Sequence, residues 1–289
     1  MNRTINKLIN KEKLMQGVFL FSACVSIIAV ALICIFLFAS GIPAMHKIGV
    51  VNFLTGNKWK PLMGIYGILP MIIGSIYVTV GAIILGVPIG ILTAVFLSEF
   101  CPKRYYKFLK TAIDLLAGIP SIVYGFFGLM VIVPFVRNTF GGSGSSLLSA
   151  SVVLGIMILP TIISISETAI RAVPRSYYEG SLALGASHER SVFFAILPAA
   201  KSGITAGVIL GIGRAVGETM AIIMVAGNQT SIPSSLFKGL RTLTTNIVME
   251  MGYAQDLHRG ALIATAVVLF VFILIINLSF SFIKRKSKI

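Results

Sequence analysis

The chain has 289 residues, 56% of them hydrophobic and 11% charged, with mean hydropathy +0.96 and formal net charge +15. A soluble globular domain carries about 25% charged residues, so this composition reads as a polytopic membrane protein. The three cysteines, Cys24, Cys34 and Cys101, include no CxxC pair, which argues against a disulfide framework or a cysteine metal site.

Six apolar runs follow in chain order, at 17–40, 67–97, 111–136, 147–169, 203–226 and 260–283. About 20 residues at 1.5 Å rise cross a hydrocarbon core, so each is long enough to span. The first run follows a basic N-terminus but is too long for the apolar region of a signal peptide, and it reads as a retained helix. The second run is overlong and is expected to tilt or break near Pro88, with Gly81, Gly86 and Gly90 beside it. The third carries Gly118, Pro120, Gly125 and Gly128. These residues fit either kinks with close packing or broken helices lining a pathway.

The turn Gly141-Gly142-Ser143-Gly144 matches the GxSG of intramembrane serine proteases. That chemistry needs a histidine base in reach of the serine, and His46, His188 and His258 all fall outside the apolar runs. A flexible turn accounts for the residues better. Asp114 and Glu167, near run ends, are expected to be solvated or salt-bridged.

Segment 170–202 is more polar. Pro174 breaks the preceding helix, and Ser176-Tyr177-Tyr178-Glu179 fits a capping box with Ser176 as N-cap. Tyr178 and Leu182 share a face, and Gly185 suits a left-handed C-cap. A short amphipathic helix over 176–186 is expected, its apolar face seeking a partner or the lipid surface.

The fifth run holds Gly203, Gly207 and Gly211 at four-residue spacing, a stripe that lets a neighbouring helix approach closely. It also holds Arg214 and Glu218. Charges at membrane depth cost on the order of 3 kcal/mol each. In one continuous helix both would lie near the glycine face, as an i,i+4 pair in the less favourable Arg-before-Glu order. The pair is therefore read either as a structural ion pair or as a pathway charge, Arg214 handling an anion with Glu218 holding it. After this run, Thr242 to Met251 suits either a small helix or an ordered loop.

Basic residues orient the chain. They concentrate before run one (Arg3, Lys7, Lys11, Lys13), between runs two and three (Lys103, Arg104, Lys107, Lys110), between runs four and five (Arg171, Arg175, Arg190, Lys201) and at the C-terminus (Lys284, Arg285, Lys286, Lys288). The positive-inside rule places these segments and both termini in the cytoplasm. The positive charge is then topological, and a nucleic-acid partner is not expected.

Glu179-Gly180-Ser181, Gly185 at its offset and Leu197-Pro198 resemble the EAA loop of ABC-importer permeases, with departures at Gly180, Ser181 and Ala195. Leu116 to Gly128 (LAGIPSIVYGFFG), Ser166-Glu167 with Arg171 to Pro174, and Gly213 to Ala221 (GRAVGETMA) resemble phosphate-uptake (Pst) permeases, with Met220-Ala221 favouring the C-type subunit. This resemblance runs from about residue 65 to 285. It implies an all-α type I ABC importer permease fold of six transmembrane helices. Residues 1–66 would hold a cytoplasmic segment, one helix and an external loop, and 67–289 a five-helix core.

The resemblance further implies an inorganic-phosphate permease in a bacterial plasma membrane, working by alternating access. Its partners would be an A-type permease, two ATPase subunits and an external phosphate-binding protein. Arg214, Glu218, Pro120 and Ser121 would lie on the pathway. Ser176, Tyr178, Glu179, Leu182, Gly185 and Pro198 would serve ATPase coupling. The chain lacks a GxxxxGK[ST] loop, so it is expected to be no enzyme and to hold no metal or cofactor, with ATP-Mg bound by the partner. A permease for sulfate or molybdate and a stand-alone anion channel remain the alternatives.

Overall fold

Hydrophobic patterning gives a mostly helical chain in the computed structural model, which describes residues 2–286, with side chains at 12 and over 15–279. The basic side chains of both termini lie outside the described ones. Among the described residues six helical segments are long and apolar enough to cross a membrane: Met15–Ile48, Leu69–Phe100, Ser121–Phe140, Leu147–Arg171, His188–Gly217 and Asp256–Ser279.

The helices are α1 (Asn2–Ile48), α2 (Val50–Thr55), α3 (Leu69–Val95), α4 (Lys103–Gly118), α5 (Ser121–Phe127), α6 (Val133–Phe140) and α7 (Leu147–Arg171). They continue as α8 (Arg175–Ala183), α9 (His188–Ser191), α10 (Leu197–Gly217), α11 (Met220–Val225), α12 (Leu243–Met251) and α13 (Asp256–Lys286). Strands β1 (Trp59–Lys60) and β2 (Ile65–Tyr66) pair antiparallel before α3.

The fourth span, α7, is the centre: 61% of its apolar window is buried, against none of the first span's. Glycines bring its neighbours in. A Cβ on Gly86 of α3 would meet Gly155 O and Ile158 at 2.9 Å, and one on Gly90 would meet Ile162 at 2.8 Å. From the other side Gly203, Gly207 and Gly211 of α10 lie against Ala169, Ile165 and Ile162 in turn, so α10 runs antiparallel to α7. Peripheral α1 rests on α13 through Gly41 against Ala264 and Val267, and through an edge-on contact of Phe38 with Phe270 at 5.8 Å.

Three spans depart from the sequence expectation. Span two is not broken at Pro88: α3 runs through it unbroken, which leaves Gly81, Gly86 and Gly90 as packing residues. Span three does not run 111–136: α4 ends at Gly118, Ile119 and Pro120 are extended, and a second helical run begins at Ser121. Span five does not run 203–226: its helical segment starts at His188 and ends at Gly217, and Glu218 is extended (φ −69°, ψ 133°).

Three π-helical turns, Phe96–Phe100, Gly128–Ile132 and Val192–Ile196, each stand just before a proline: Pro102, Pro134 and Pro198. A proline supplies no N–H and its ring crowds the carbonyl four residues back. The wider turn before Pro134 and Pro198 relieves that crowding without ending the helix.

At one end of the bundle a polar network joins four segments. Glu250 of α12 accepts from Trp59 Nε1 at 2.8 Å, pairs with Arg241, and bonds His258 of α13 at 2.9 Å. Arg241 also donates to Asn246 Oδ1 at 3.0 Å and to Asn228 O at 3.2 Å. Thr242 to Met251 is therefore a helix, with Thr242 as N-cap of a capping box completed by Thr245.

Two outcomes are expected. Removing one partner of a buried ion pair costs about 3–5 kcal/mol, so Glu250→Ala strongly lowers the unfolding free energy in mixed micelles; a wild-type value refutes the network's role. Overpacking a tight helix contact costs about 1–3 kcal/mol, so Gly86→Leu lowers the thermal midpoint of the purified protein, and an unchanged midpoint refutes the contact.

Candidate functional site

Apolar sequence alone would carry span five straight through; what stops it is Gly217 followed by the extended Glu218 and the non-helical Thr219. The stop lies deep in the bundle. Gly211 faces Ile162 and Ile158, so Arg214, one turn on, sits near the middle of the 25-residue span α7.

A helix that stops in hydrocarbon exposes N–H and C=O groups that need partners. Here the chain supplies them. Glu218 is 9% exposed, and its Oε1 accepts from Ala221 N at 3.1 Å, capping α11. The hydroxyl of Thr244, from the start of α12, donates to Glu218 O at 3.0 Å. The expected i,i+4 contact is absent, because Glu218 leaves the helix. None of the ion pairs among the described residues includes Arg214 or Glu218.

The break in span three lies beside this one. Gly125 of α5 packs on Ala221 of α11, where an added Cβ would meet Ala221 Cα at 2.8 Å. One turn further, Gly128 packs on Val225 at 2.8 Å, so α5 and α11 run parallel. The breaks at Ile119-Pro120 and Glu218-Thr219 thus fall within about a turn of the same depth. The Tyr124 hydroxyl bridges the first by donating to Leu116 O at 2.7 Å. Pro120 is exposed and Ser121 half-buried, so the elbow presents an open face within the membrane-spanning region.

A second cluster holds α4 against α7. The Glu167 carboxylate is buried; it accepts from Tyr106 at 2.6 Å and from Arg171 Nε at 3.0 Å. Lys110 Nζ stands 3.1 Å from its other oxygen, in ion-pair range though off the hydrogen-bond direction, and donates to Ser164 at 3.1 Å. Arg171 reaches on to Leu97 O at 2.9 Å and lies over the Tyr106 ring. Glu167 is thus a structural anchor.

The polar segment at this end forms α8, with one correction. Ser176 is not the N-cap: Pro174 is, the helix begins at Arg175, and no side chain caps it. Pro174 fixes an extended backbone two residues earlier than the pattern suggested, leaving Ser176 and Glu179 exposed inside the helix. Gly185 has φ 84°, and its N–H donates to Leu182 O at 2.9 Å, closing the helix end. Tyr178 turns inward, while Tyr177, Leu182 and Leu184 are exposed and Pro198 lies exposed at the start of α10.

The sequence reading missed Tyr124 and Thr244. Tyr124 stands in the quoted motif, but a phenol four residues past a proline signals nothing until the chain bends. Thr244 comes from 26 positions away and leaves no local signal.

Residues 86–289 match the model of the binding-protein-dependent transport system inner membrane component family. Among curated proteins, the chain is 40% identical over 275 residues to the probable ABC transporter permease protein YqgH of Bacillus subtilis, covering 91% of this chain and 89% of that one. It is 36% identical to the phosphate transport system permease protein PstC of Mesorhizobium japonicum, covering 83% and 79%. Among solved structures, a bacterial alginate ABC transporter chain superposes with TM-score 0.65 at 16% identity over 95% of this chain and 96% of that one. A chain of the inward-facing MetNI methionine ABC transporter gives 0.61 at 21% identity, over 80% and 99%. These two likenesses fix the fold as that of ABC importer permeases. The chain belongs to the binding-protein-dependent transport system inner membrane component family, and it is a multi-pass membrane protein.

Proposed function

We propose that this chain is the C-type transmembrane subunit of an ATP-driven importer of inorganic phosphate. The observation that carries the reading is Arg214, a guanidinium without an ion-pair partner among the described residues, set mid-span beside two aligned helix breaks. An intramembrane charge costs free energy and is kept where it meets a substrate or lines a water-filled path. A guanidinium offers a planar fork of donors that suits phosphate oxygens. Broken helices at mid-depth are a common way to build a midplane site. Relatives at 32–36% identity bear the name phosphate transport permease, which supports phosphate over other oxyanions.

In this reading Arg214 meets phosphate in transit, and Pro120 and Ser121 line the opposite wall. Glu218 does not hold Arg214; it keeps the break open by capping α11. The chain itself catalyses no reaction and holds no cofactor or metal. ATP-Mg binds two partner ATPase subunits, and an A-type permease completes the pathway. An external phosphate-binding protein delivers substrate to the end bearing the Trp59–Glu250 network. Both termini and α8 lie in the cytoplasm, where Leu182 and its exposed apolar neighbours seat against the ATPase. ATP-driven closure moves α8 and alternates access.

The test is labelled phosphate uptake by cells lacking their own high-affinity permease, with this chain and its neighbouring subunits. ATP-dependent uptake indifferent to excess sulfate is expected. Competition by sulfate or molybdate assigns another oxyanion, and nucleotide-independent conduction assigns a channel. Arg214→Gln lowers uptake about tenfold or more, since a hydrogen bond to a charged group is worth roughly 1.5–3 kcal/mol, while assembly is retained; wild-type uptake refutes its role. Glu179→Lys reverses an exposed charge on α8 and weakens co-purification with the ATPase. Unchanged co-purification with unchanged phosphate-stimulated hydrolysis counts against that surface.

A further inference from the structure

Displacement of α8 reaches the spans only through what α8 touches. The helix contains no fully buried residue, and its half-buried Tyr178 packs against the core cluster that includes Val192 and Ile196. A cavity of about 120 Å³ separates it from the spans, lined among others by Ser98, Glu99, Arg171, Tyr178 and Ile196. Across this gap Tyr178 reaches span five. The Tyr178 hydroxyl lies 2.9 Å from His188 Nδ1, with the two rings edge to face at 5.6 Å. The same imidazole meets Phe100, edge-on at 4.8 Å.

The placement of His188 couples two spans. It is the first residue of span five, held there by Ser187, whose Oγ caps Arg190 N at 3.3 Å. Phe100 is the last residue of the π-helical turn that ends span two. The next π-helical turn, Val192–Ile196, begins four residues after His188. Such turns are places where a helix deforms readily.

We propose that His188 is a positioning residue, the strut through which movement of α8 is delivered to spans two and five. The Tyr178 hydroxyl and His188 Nδ1 share one hydrogen bond, either atom serving as donor according to the imidazole tautomer. The Phe100 contact transmits displacement to span two, and the helix start transmits it to span five. This role rests on the transporter reading above and adds to it a residue that touches neither phosphate nor the ATPase.

The test uses the full chain assembled with its partner subunits in proteoliposomes, measuring phosphate moved per ATP hydrolysed. His188→Ala is expected to lower that ratio about fivefold, the scale of one neutral hydrogen bond, with hydrolysis itself held. Tyr178→Phe, which removes one oxygen, lowers it likewise. His188→Asn keeps a hydrogen-bonding atom near the Nδ1 position but loses the Phe100 ring contact, and restores part of the ratio. An unchanged ratio in assembled His188→Ala, or a parallel fall in uptake and hydrolysis, overturns the proposal. If His188→Ala fails to assemble, Tyr178→Phe decides by the same two outcomes. A wild-type complex without ATP-driven phosphate uptake would instead sink the transporter reading, whatever the variants do.

Discussion

Inside a hydrocarbon layer no water satisfies a peptide group, so every helix end placed there must find its partners in the protein. Much of this chain's architecture answers that demand. Two spans stop and restart at a common depth, and each break is closed by side chains. Glu218 caps α11 and Thr244 holds the Glu218 carbonyl. Tyr124 holds the Leu116 carbonyl, and Pro120 brings no N–H to satisfy. With those groups satisfied, Arg214 is left without an ion-pair partner among the described residues, which is what an anion-handling residue needs.

The breaks line up because glycine lets the helices approach. Gly125 and Gly128 seat α5 on Ala221 and Val225 of α11, while Gly203, Gly207 and Gly211 fix α10 against α7. Between lipid-exposed helices, burial from water supplies no driving force, and close van der Waals packing carries the association. The most buried span, α7, is accordingly flanked by glycines from both neighbours. Its other anchor is electrostatic: Glu167 gathers Tyr106, Lys110 and Arg171 and so holds α4 in place.

The proline positions add compliance to this frame. Each π-helical turn sits shortly before a proline, and two of the three flank the region where α8 joins spans two and five. The body is tightly packed around α7 and carries wide helical turns near α8. The proposed transport, driven from that end, calls for both properties.

The sequence by itself determined the membrane class, the number of spans and the small-residue stripe. Composition, run length and i,i+4 spacing are local properties that survive in any environment. It also marked Arg214, because a charge in an apolar run stands out whatever its neighbours. The sequence did not determine where spans three and five stop. Continuous apolar character suits an unbroken helix, and it is Glu218, Thr244, Tyr124 and the packing of Gly125 that stabilise the breaks. The same limit explains Ser176, whose capping pattern was local while Pro174 had already set the helix start. Glu218 shows the difference most sharply. Four residues after Arg214 it looks like an ion-pair partner, yet the tertiary structure turns it to the N–H of Ala221. An unsatisfied helix end in hydrocarbon claims the carboxylate before a neighbouring charge can.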